Sequence, residues 1–247
     1  MRNNHPNIRR AIINDINPNL IECYRLVKEY PNELILELQK IQVLYNSEDI
    51  EGKERIYYDY RSKYNNDELT SVEKAAIFIF LNHTCFNGLY RVNANGAFNV
   101  PFGKYMKPMI CNAELILEDS RLLNSVDLVI MNGDYRCVGR RWARRNTNFV
   151  YFDPPYRPIS VTSSFHRYSN SPFGDEQQVE LRDFCNHLDE RDCFLMLSNS
   201  DSYNEDGTSY FEELYVGYNF QRIYAHRFIN ATSDKRVKLT EVLVRNY

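Results

Sequence analysis

The residues with the most chemical character lie in one run, Phe149-Val150-Tyr151-Phe152-Asp153-Pro154-Pro155-Tyr156. Four apolar residues in succession read as a buried strand, and ligands of open α/β sheets bind beyond the carboxyl ends of such strands. Asp153 stands at that end. Two successive prolines remove two backbone donors and fix the loop. A carboxylate, a proline-fixed carbonyl and an exposed aromatic ring are thereby held at one spot. That set suits a planar amine attached to an aromatic ring: Asp153 and the Pro154 carbonyl can accept both hydrogens of an –NH2 group, and Tyr156 can stack on the ring. Aspartate and proline also end strands in plain turns, but Asp-Pro-Pro-Tyr directly after four apolar residues is much more specific than that.

The elements that must position this run can be read outward from it. Arg10–Asp15 reads as a short buried strand ending in an acid, and Asn17-Pro18 as an N-cap followed by proline at the first helical position. Leu20, Ile21, Tyr24 and Val27 continue at helical spacing, and Pro31 restarts a second helix through Leu34, Leu38 and Ile41. Residues 46–70 are polar and partly helical, Val72–Asn82 is a strongly apolar helix, and Cys85–Pro108 is rich in Gly, Pro and Asn, with a hairpin at Asn95-Gly96. A helix at Ala113–Leu123 and a strand at Asp127–Met131 lead to Asn132-Gly133-Asp134. After the Asp-Pro-Pro-Tyr run come an amphipathic helix, Glu176–Glu190, and a strand, Cys193–Leu197, closed by Ser198-Asn199. Two terminal strands, Tyr218–Phe228 and Leu239–Tyr247, read as an antiparallel pair. Strands alternating with helices predict a largely parallel α/β sheet, interrupted by an insert over 46–112.

Composition narrows the class. The 247 residues suffice for one large domain with an insert, and 43% hydrophobic with 26% charged residues excludes collagen-like, coiled-coil and wholly disordered chains. The longest apolar run is the seven residues Ala75–Leu81, against roughly 20 for a membrane helix. The N-terminus has no signal-peptide stretch, and the six cysteines form no C-x-x-C pair; they read as reduced thiols of a cytoplasmic protein. Net charge is −3, which by itself speaks against a nucleic-acid partner. Its distribution speaks the other way. Residues 74–110 hold Lys74, Arg91, Lys104 and Lys107 with no acid; 135–152 hold Arg136, Arg140, Arg141, Arg144 and Arg145 with no acid; 222–238 hold five basic residues against Asp234. Three basic stretches with interleaved aromatics suggest a charged face for a polyanion.

Taken with the Asp-Pro-Pro-Tyr run, the segment Phe80-Leu81-Asn82 through Phe86-Asn87-Gly88-Leu89-Tyr90-Arg91 and then Phe98-Asn99-Val100-Pro101-Phe102-Gly103-Lys104-Tyr105 resembles the Dam-type family of DNA adenine-N6 methyltransferases. Pro158, Ser160, Thr162, Phe165, Tyr168, Ser198-Asn199 and Glu241-Val242-Leu243 follow the same pattern. The resemblance implies a Rossmann-like α/β sheet of the S-adenosylmethionine-dependent methyltransferase type, formed by residues 1–45 and 113–247, with a mostly helical target-recognition insert at 46–112. It implies double-stranded DNA as partner and S-adenosylmethionine as methyl donor. It makes Asp153, Pro154, Pro155 and Tyr156 catalytic. Asp15 would bind the ribose hydroxyls of the cofactor, where acids stand in related nucleotide sheets, and Asp134 and Tyr135 would face its adenine, with Asp153 bordering the same site. Phe86, Asn87, Leu89, Arg91, Lys104 and Tyr105 would contact DNA: Arg91 can pair bidentately with a guanine edge, and Phe86 and Leu89 can meet a thymine methyl or wedge into the stack, unless they are core residues. GATC is the expected site, a cognate restriction endonuclease is a candidate partner, monomeric action is the default, and no metal is expected. The Asp-Pro-Pro-Tyr run alone also fits cytosine-N4, RNA or protein-amide methylation.

One part of the family pattern has no counterpart. A Phe-x-Gly-x-Gly loop after a first, central strand is expected about 20 residues before the position of Asp15, and the first glycine here is Gly52. Such glycines let the backbone approach the methionine part of the cofactor. Without that strand, two strand edges would lie open, and a DNA-binding remnant with weak catalysis is the competing expectation. These 247 residues alone are therefore expected to bind S-adenosylmethionine poorly. Isothermal calorimetry checks this, and tight binding overturns it.

Overall fold

The computed structural model describes residues 8–138, 148–159, 173–225 and 239–247. The chain divides into two compact units, Met1–Tyr135 and Arg136–Tyr247.

In the first unit, β1 (Arg10–Asp15) pairs in parallel with β2 (Asp127–Asn132), with Asp15 opposite Asn132. Asn17 caps α1 (Pro18–Glu29): its side chain accepts from the backbone N–H of Asn19 and Leu20, and Pro18 fills the first helical position, as its sequence predicts. α2 (Pro31–Asn46) starts on Pro31, and α4 (Ser71–Thr84) starts on a capping box between Thr70 and Glu73. α5 (Ala113–Asn124) packs with α1 against β2.

Residues 46–70 are partly helical as their sequence predicts, and more fully than its polar character suggests. They form one continuous helix for most of their length, α3 (Ile50–Asn66). Its apolar face is built from tyrosines: Tyr57 and Tyr64 are buried in the same core as Leu34, Leu38, Tyr45, Phe80 and Leu81. The rings of Tyr45, Tyr57 and Tyr60 lie 5.8, 6.3 and 5.2 Å from that of Phe80, and the Tyr45 and Tyr57 hydroxyls donate to the carbonyls of Tyr105 and Val100. A tyrosine contributes ring area to a core as phenylalanine does when its hydroxyl finds a partner. Burial pushes the Tyr45 phenol up to about 12, so it stays a hydrogen-bond donor at neutral pH.

The second unit carries a four-stranded sheet in the order β3-β4-β6-β5. β3 (Phe149–Phe152) is parallel to β4 (Phe194–Ser200); β6 (Leu239–Arg245) is antiparallel to both β4 and β5 (Asn219–Ala225). The predicted antiparallel terminal pair is therefore present. α6 (Asp175–Asp189) packs on β4, and α7 (Tyr210–Leu214) is a short helix that the sequence reading lacked. Ser198 and Asn199 do not close β4 but lie inside it, because β6 keeps pairing with them through Leu243 and Val242. Beyond β4, the buried Asp201 carboxylate accepts from Arg222 at 3.0 Å and from Thr240 at 2.6 Å, tying β5 and β6 to the end of β4. In their respective sheets β1 and β3 are edge strands, so neither is the buried strand that its apolar run predicts: no residue of β1 is buried, and in β3 only Phe152 is, with Phe149 and Tyr151 57 and 53% exposed.

Substituting Phe80→Ala removes the ring on which three tyrosines converge. The expected loss is about 3–5 kcal/mol of stability, read as a lower denaturant midpoint by far-UV circular dichroism.

Candidate functional site

The parallel pairing of β3 with β4 decides what surrounds Asp153. Phe152 is opposite Leu197, so the next residue of each strand meets its counterpart. Ser198 Oγ donates to Asp153 Oδ1 at 3.0 Å and lies 2.8 Å from the Tyr151 hydroxyl. A serine hydroxyl has one hydrogen; with that hydrogen on Asp153, Tyr151 is the donor to Ser198. Ser198 also bonds Tyr156, whose phenol is pushed above its ordinary value chiefly by burial, with Glu241, Asp153 and Tyr151 adding to the rise and the Ser198 bond opposing it. One buried hydroxyl thus connects two of the four residues of the Asp-Pro-Pro-Tyr run.

The rest of the loop is pinned from α6 and β4. Gln178, 1% exposed, donates from Nε2 to the Pro155 carbonyl at 3.0 Å. Asn199 Oδ1 accepts from the Arg157 N–H at 2.9 Å, and Ser200 Oγ donates to the Arg157 carbonyl. The Arg157 guanidinium takes Asp175 with two bonds, at 2.9 and 3.3 Å, donates to the Tyr203 carbonyl, and lies 4.0 Å from the centre of the Tyr210 ring. Positions 153, 155 and 157 are therefore fixed. No described residue donates to the Pro154 carbonyl between them. The loop holds one carboxylate oxygen, Oδ2, and one carbonyl without claiming either, the pair of acceptors a bound amine needs.

In the first unit, β1 and β2 end together. The Asp15 carbonyl accepts from the Gly133 N–H and from Asn132 Nδ2, and Asn14 Nδ2 donates to the Gly133 carbonyl. Asp15 Oδ1 accepts from the Asn17 N–H at 2.7 Å. That is a helix-entry turn, and it leaves Oδ2 with no partner among the described residues. Asp134 and Tyr135 follow β2 after Gly133 and are half-buried. Asp15, Asp134 and Tyr135 thus share one end of one parallel pair.

The segment after α4 is a scaffold with an outward face. Its backbone is held where Cys85 bridges Phe102 and Val92 bridges Phe98. Phe98, Val100 and Phe102 alternate into the core, and α3 bonds their backbone: Asn65 exchanges two bonds with Phe98, and Arg61 joins Tyr57 in donating to the Val100 carbonyl. A Cβ on Gly103 would lie 2.5 Å from the Cys85 carbonyl oxygen, so only glycine fits. Phe86, Leu89 and Tyr105 are 44, 42 and 40% exposed. Phe86 and Leu89 are surface residues, not core. Asn87 and Lys104 adopt positive φ, 55° and 58°. Arg91 is exposed and bonded to Asn99 at 2.7 Å. All six residues singled out for DNA contact stand on this one segment.

The charge pattern is partly corrected. Arg136 lies 3.5 Å from Glu180, and Arg222 is bound by Asp201 and Glu212, so these two cations are already paired within the second unit. Arg140, Arg141, Arg144, Arg145, Ser160, Thr162, Phe165, Tyr168, Arg227, Lys235, Arg236 and Lys238 lie outside the described residues. Among the described residues no cluster of metal-ligating side chains occurs, the cysteines are free thiols, and no helix is long and apolar enough to cross a membrane. The reading from sequence missed the roles of Ser198, Gln178 and Arg157. The usable signal was a polar Ser198-Asn199 pair at the carboxyl end of an apolar strand.

Comparison with known proteins identifies the family. Residues 1–229 match the family model of the D12 class N6 adenine-specific DNA methyltransferases. The type II methyltransferase M.MjaIII of Methanocaldococcus jannaschii is 42% identical over 242 residues, which is 97% of this chain and 81% of that protein. The type II methyltransferase M1.LlaDCHI of Lactococcus lactis subsp. cremoris is 41% identical, over 97% of this chain and 80% of that protein. The DNA adenine methylase of Escherichia coli K12 is 32% identical, over 95% and 78%. The chain belongs to the D12 class N6 adenine-specific DNA methyltransferases, enzymes that methylate adenine N6 in DNA.

Proposed function

We propose that the protein transfers a methyl group from S-adenosylmethionine to the N6 amine of an adenine flipped out of duplex DNA, with Asp153, Pro154, Pro155 and Tyr156 as the catalytic loop. The observation that carries this reading is the loop itself: Asp153 is held through Oδ1 by Ser198, and the neighbouring residues 155 and 157 are anchored. Asp153 Oδ2 and the Pro154 carbonyl remain as acceptors.

Adenine N6 is a weak nucleophile because its lone pair is delocalised into the ring. Two hydrogen bonds to fixed acceptors localise the lone pair on nitrogen and aim it, so the loop works by positioning and by charge already in place rather than by acid–base strength. The amine is inaccessible inside a duplex, so the base has to leave the stack; Tyr156, tethered through its hydroxyl, offers the ring on which it stacks. S-Adenosylmethionine supplies an electrophilic methyl on a sulfonium. The residues at the ends of β1 and β2 fit such a group: Asp15 has one carboxylate oxygen on its helix-entry turn and the other left over for a ribose hydroxyl, and Asp134 and Tyr135 are adjacent for the adenine. Residues 46–112 serve target recognition through Phe86, Asn87, Leu89, Arg91, Lys104 and Tyr105, and GATC is the first duplex to try.

Asp153→Ala is expected to lower transfer of labelled methyl groups to unmethylated DNA at least about a hundredfold relative to the unsubstituted protein, the scale for losing one preorganised contact. DNA binding should be unchanged; a variant that keeps its rate sinks the assignment. Ser198→Ala orphans Tyr151 and loosens Asp153, and should lower kcat about 10–100-fold with KM for DNA little altered. Ser198→Thr should restore most of it. Asp15→Ala should weaken further the cofactor binding, already expected to be poor, that calorimetry reads for the unsubstituted chain, while affinity for DNA in a gel shift stays the same.

A further inference from the structure

The exposed guanidinium of Arg91 is not loose. Its Nε donates to Asn99 Oδ1 at 2.7 Å and its Nη2 to the Asn99 carbonyl at 3.2 Å. The Asn99 N–H in turn donates to the Arg91 carbonyl at 3.1 Å. The two residues face each other across the turn at 93–96, where the Asn93 side chain accepts from the N–H groups of Asn95 and Ala97. Among the described residues the guanidinium has no other hydrogen bond. Of its five N–H donors, Asn99 takes the two on the Nε side. The end-on pair, one hydrogen each from Nη1 and Nη2, is left exposed, and this is the edge whose spacing matches the O6 and N7 acceptors of guanine.

Asn99 itself cannot drift. Its neighbours Phe98 and Val100 are 2 and 1% exposed, and the backbone of both is bonded by Asn65, Tyr57 and Arg61 of α3. A long arginine side chain ordinarily loses much rotamer freedom on meeting a base. Here that ordering precedes contact. A phosphate also takes a guanidinium bidentately, but it presents equivalent oxygens on several sides and can be met from many directions, whereas a base edge offers one coplanar pair of acceptors, so an orientation set in advance favours the base edge.

We infer that Asn99 is a positioning residue for base recognition: it holds the Arg91 guanidinium by its Nε edge so that the opposite edge reads one guanine of the target sequence. This rests on the reading that Arg91 meets DNA.

The test uses the full chain and a duplex library randomised over the binding site, with the bound fraction sequenced for the unsubstituted protein and for R91A, N99A and N99D. R91A should erase a guanine preference at one position. N99A should reduce the preference at that same position about tenfold or more and leave the other positions as they were. N99D keeps an acceptor for Nε and should retain the preference. N99A that keeps the guanine preference overturns the inference. So does N99A that weakens binding evenly across all sequences, the pattern of a lost phosphate contact, and so does N99D that discriminates no better than N99A. R91A enriching the same sequences as the unsubstituted protein overturns the reading beneath it, and the inference with it. Thermal melts of the three variants within a few degrees of the unsubstituted protein exclude unfolding as the cause, and N99D provides the second arm should N99A melt early.

Discussion

Everything at the Asp-Pro-Pro-Tyr loop depends on the register between two parallel strands. With Phe152 opposite Leu197, Asp153 and Ser198 become neighbours, and the single hydrogen of Ser198 settles which carboxylate oxygen is occupied. A slip of one residue would turn Ser198 to the other face of the sheet and leave Asp153 as an ordinary strand-ending acid. The register is secured from the far side of β4, where β6 pairs from Arg245 to Glu241, and at the strand end, where the Asp201 carboxylate collects Arg222 and Thr240. The antiparallel half of the sheet is thus what makes the parallel half dependable.

The first unit solves a comparable problem with side chains. An irregular segment has few backbone partners of its own, and unpaired buried amides and carbonyls are costly. α3 supplies the missing partners: Tyr57, Arg61 and Asn65 lie on one helical face at intervals of four and bond the Phe98 and Val100 backbone. The same helix packs tyrosine rings into the core. Its polar composition and its structural role are two views of one arrangement.

Much of this was legible in the residues. The Asn17-Pro18 cap, the two apolar strands ending in Asp15 and Asp153, and the amphipathic spacing of α6 are local signals, and the structure carries all of them. α3 was only half legible, because periodicity counts tyrosine as ambiguous and its buried face is tyrosine. The Asp-Pro-Pro-Tyr run stands out in the sequence, yet its supports do not: Ser198 and Gln178 are 45 and 23 residues from the groups they bond, and nothing in a local window says which strand or helix arrives beside the loop. The pairing of Arg91 with Asn99 was hidden for the same reason at shorter range, since it depends on how the turn between them closes.

The segment from Cys85 to Tyr105 keeps its buried and its exposed faces on separate residues. Cys85, Phe98, Val100, Phe102 and Gly103 hold it in place from the buried side, while Phe86, Leu89, Lys104 and Tyr105 are exposed and stand outside the buried core. Exchange at the outward positions therefore has little effect on folding, whereas any side chain at position 103 would collide with the Cys85 backbone. On the proposed reading that this outward face meets DNA, such a surface can drift to new target sequences by substitutions that are individually neutral for stability, so lineages carrying it can diverge in what they read while remaining alike in how they are built.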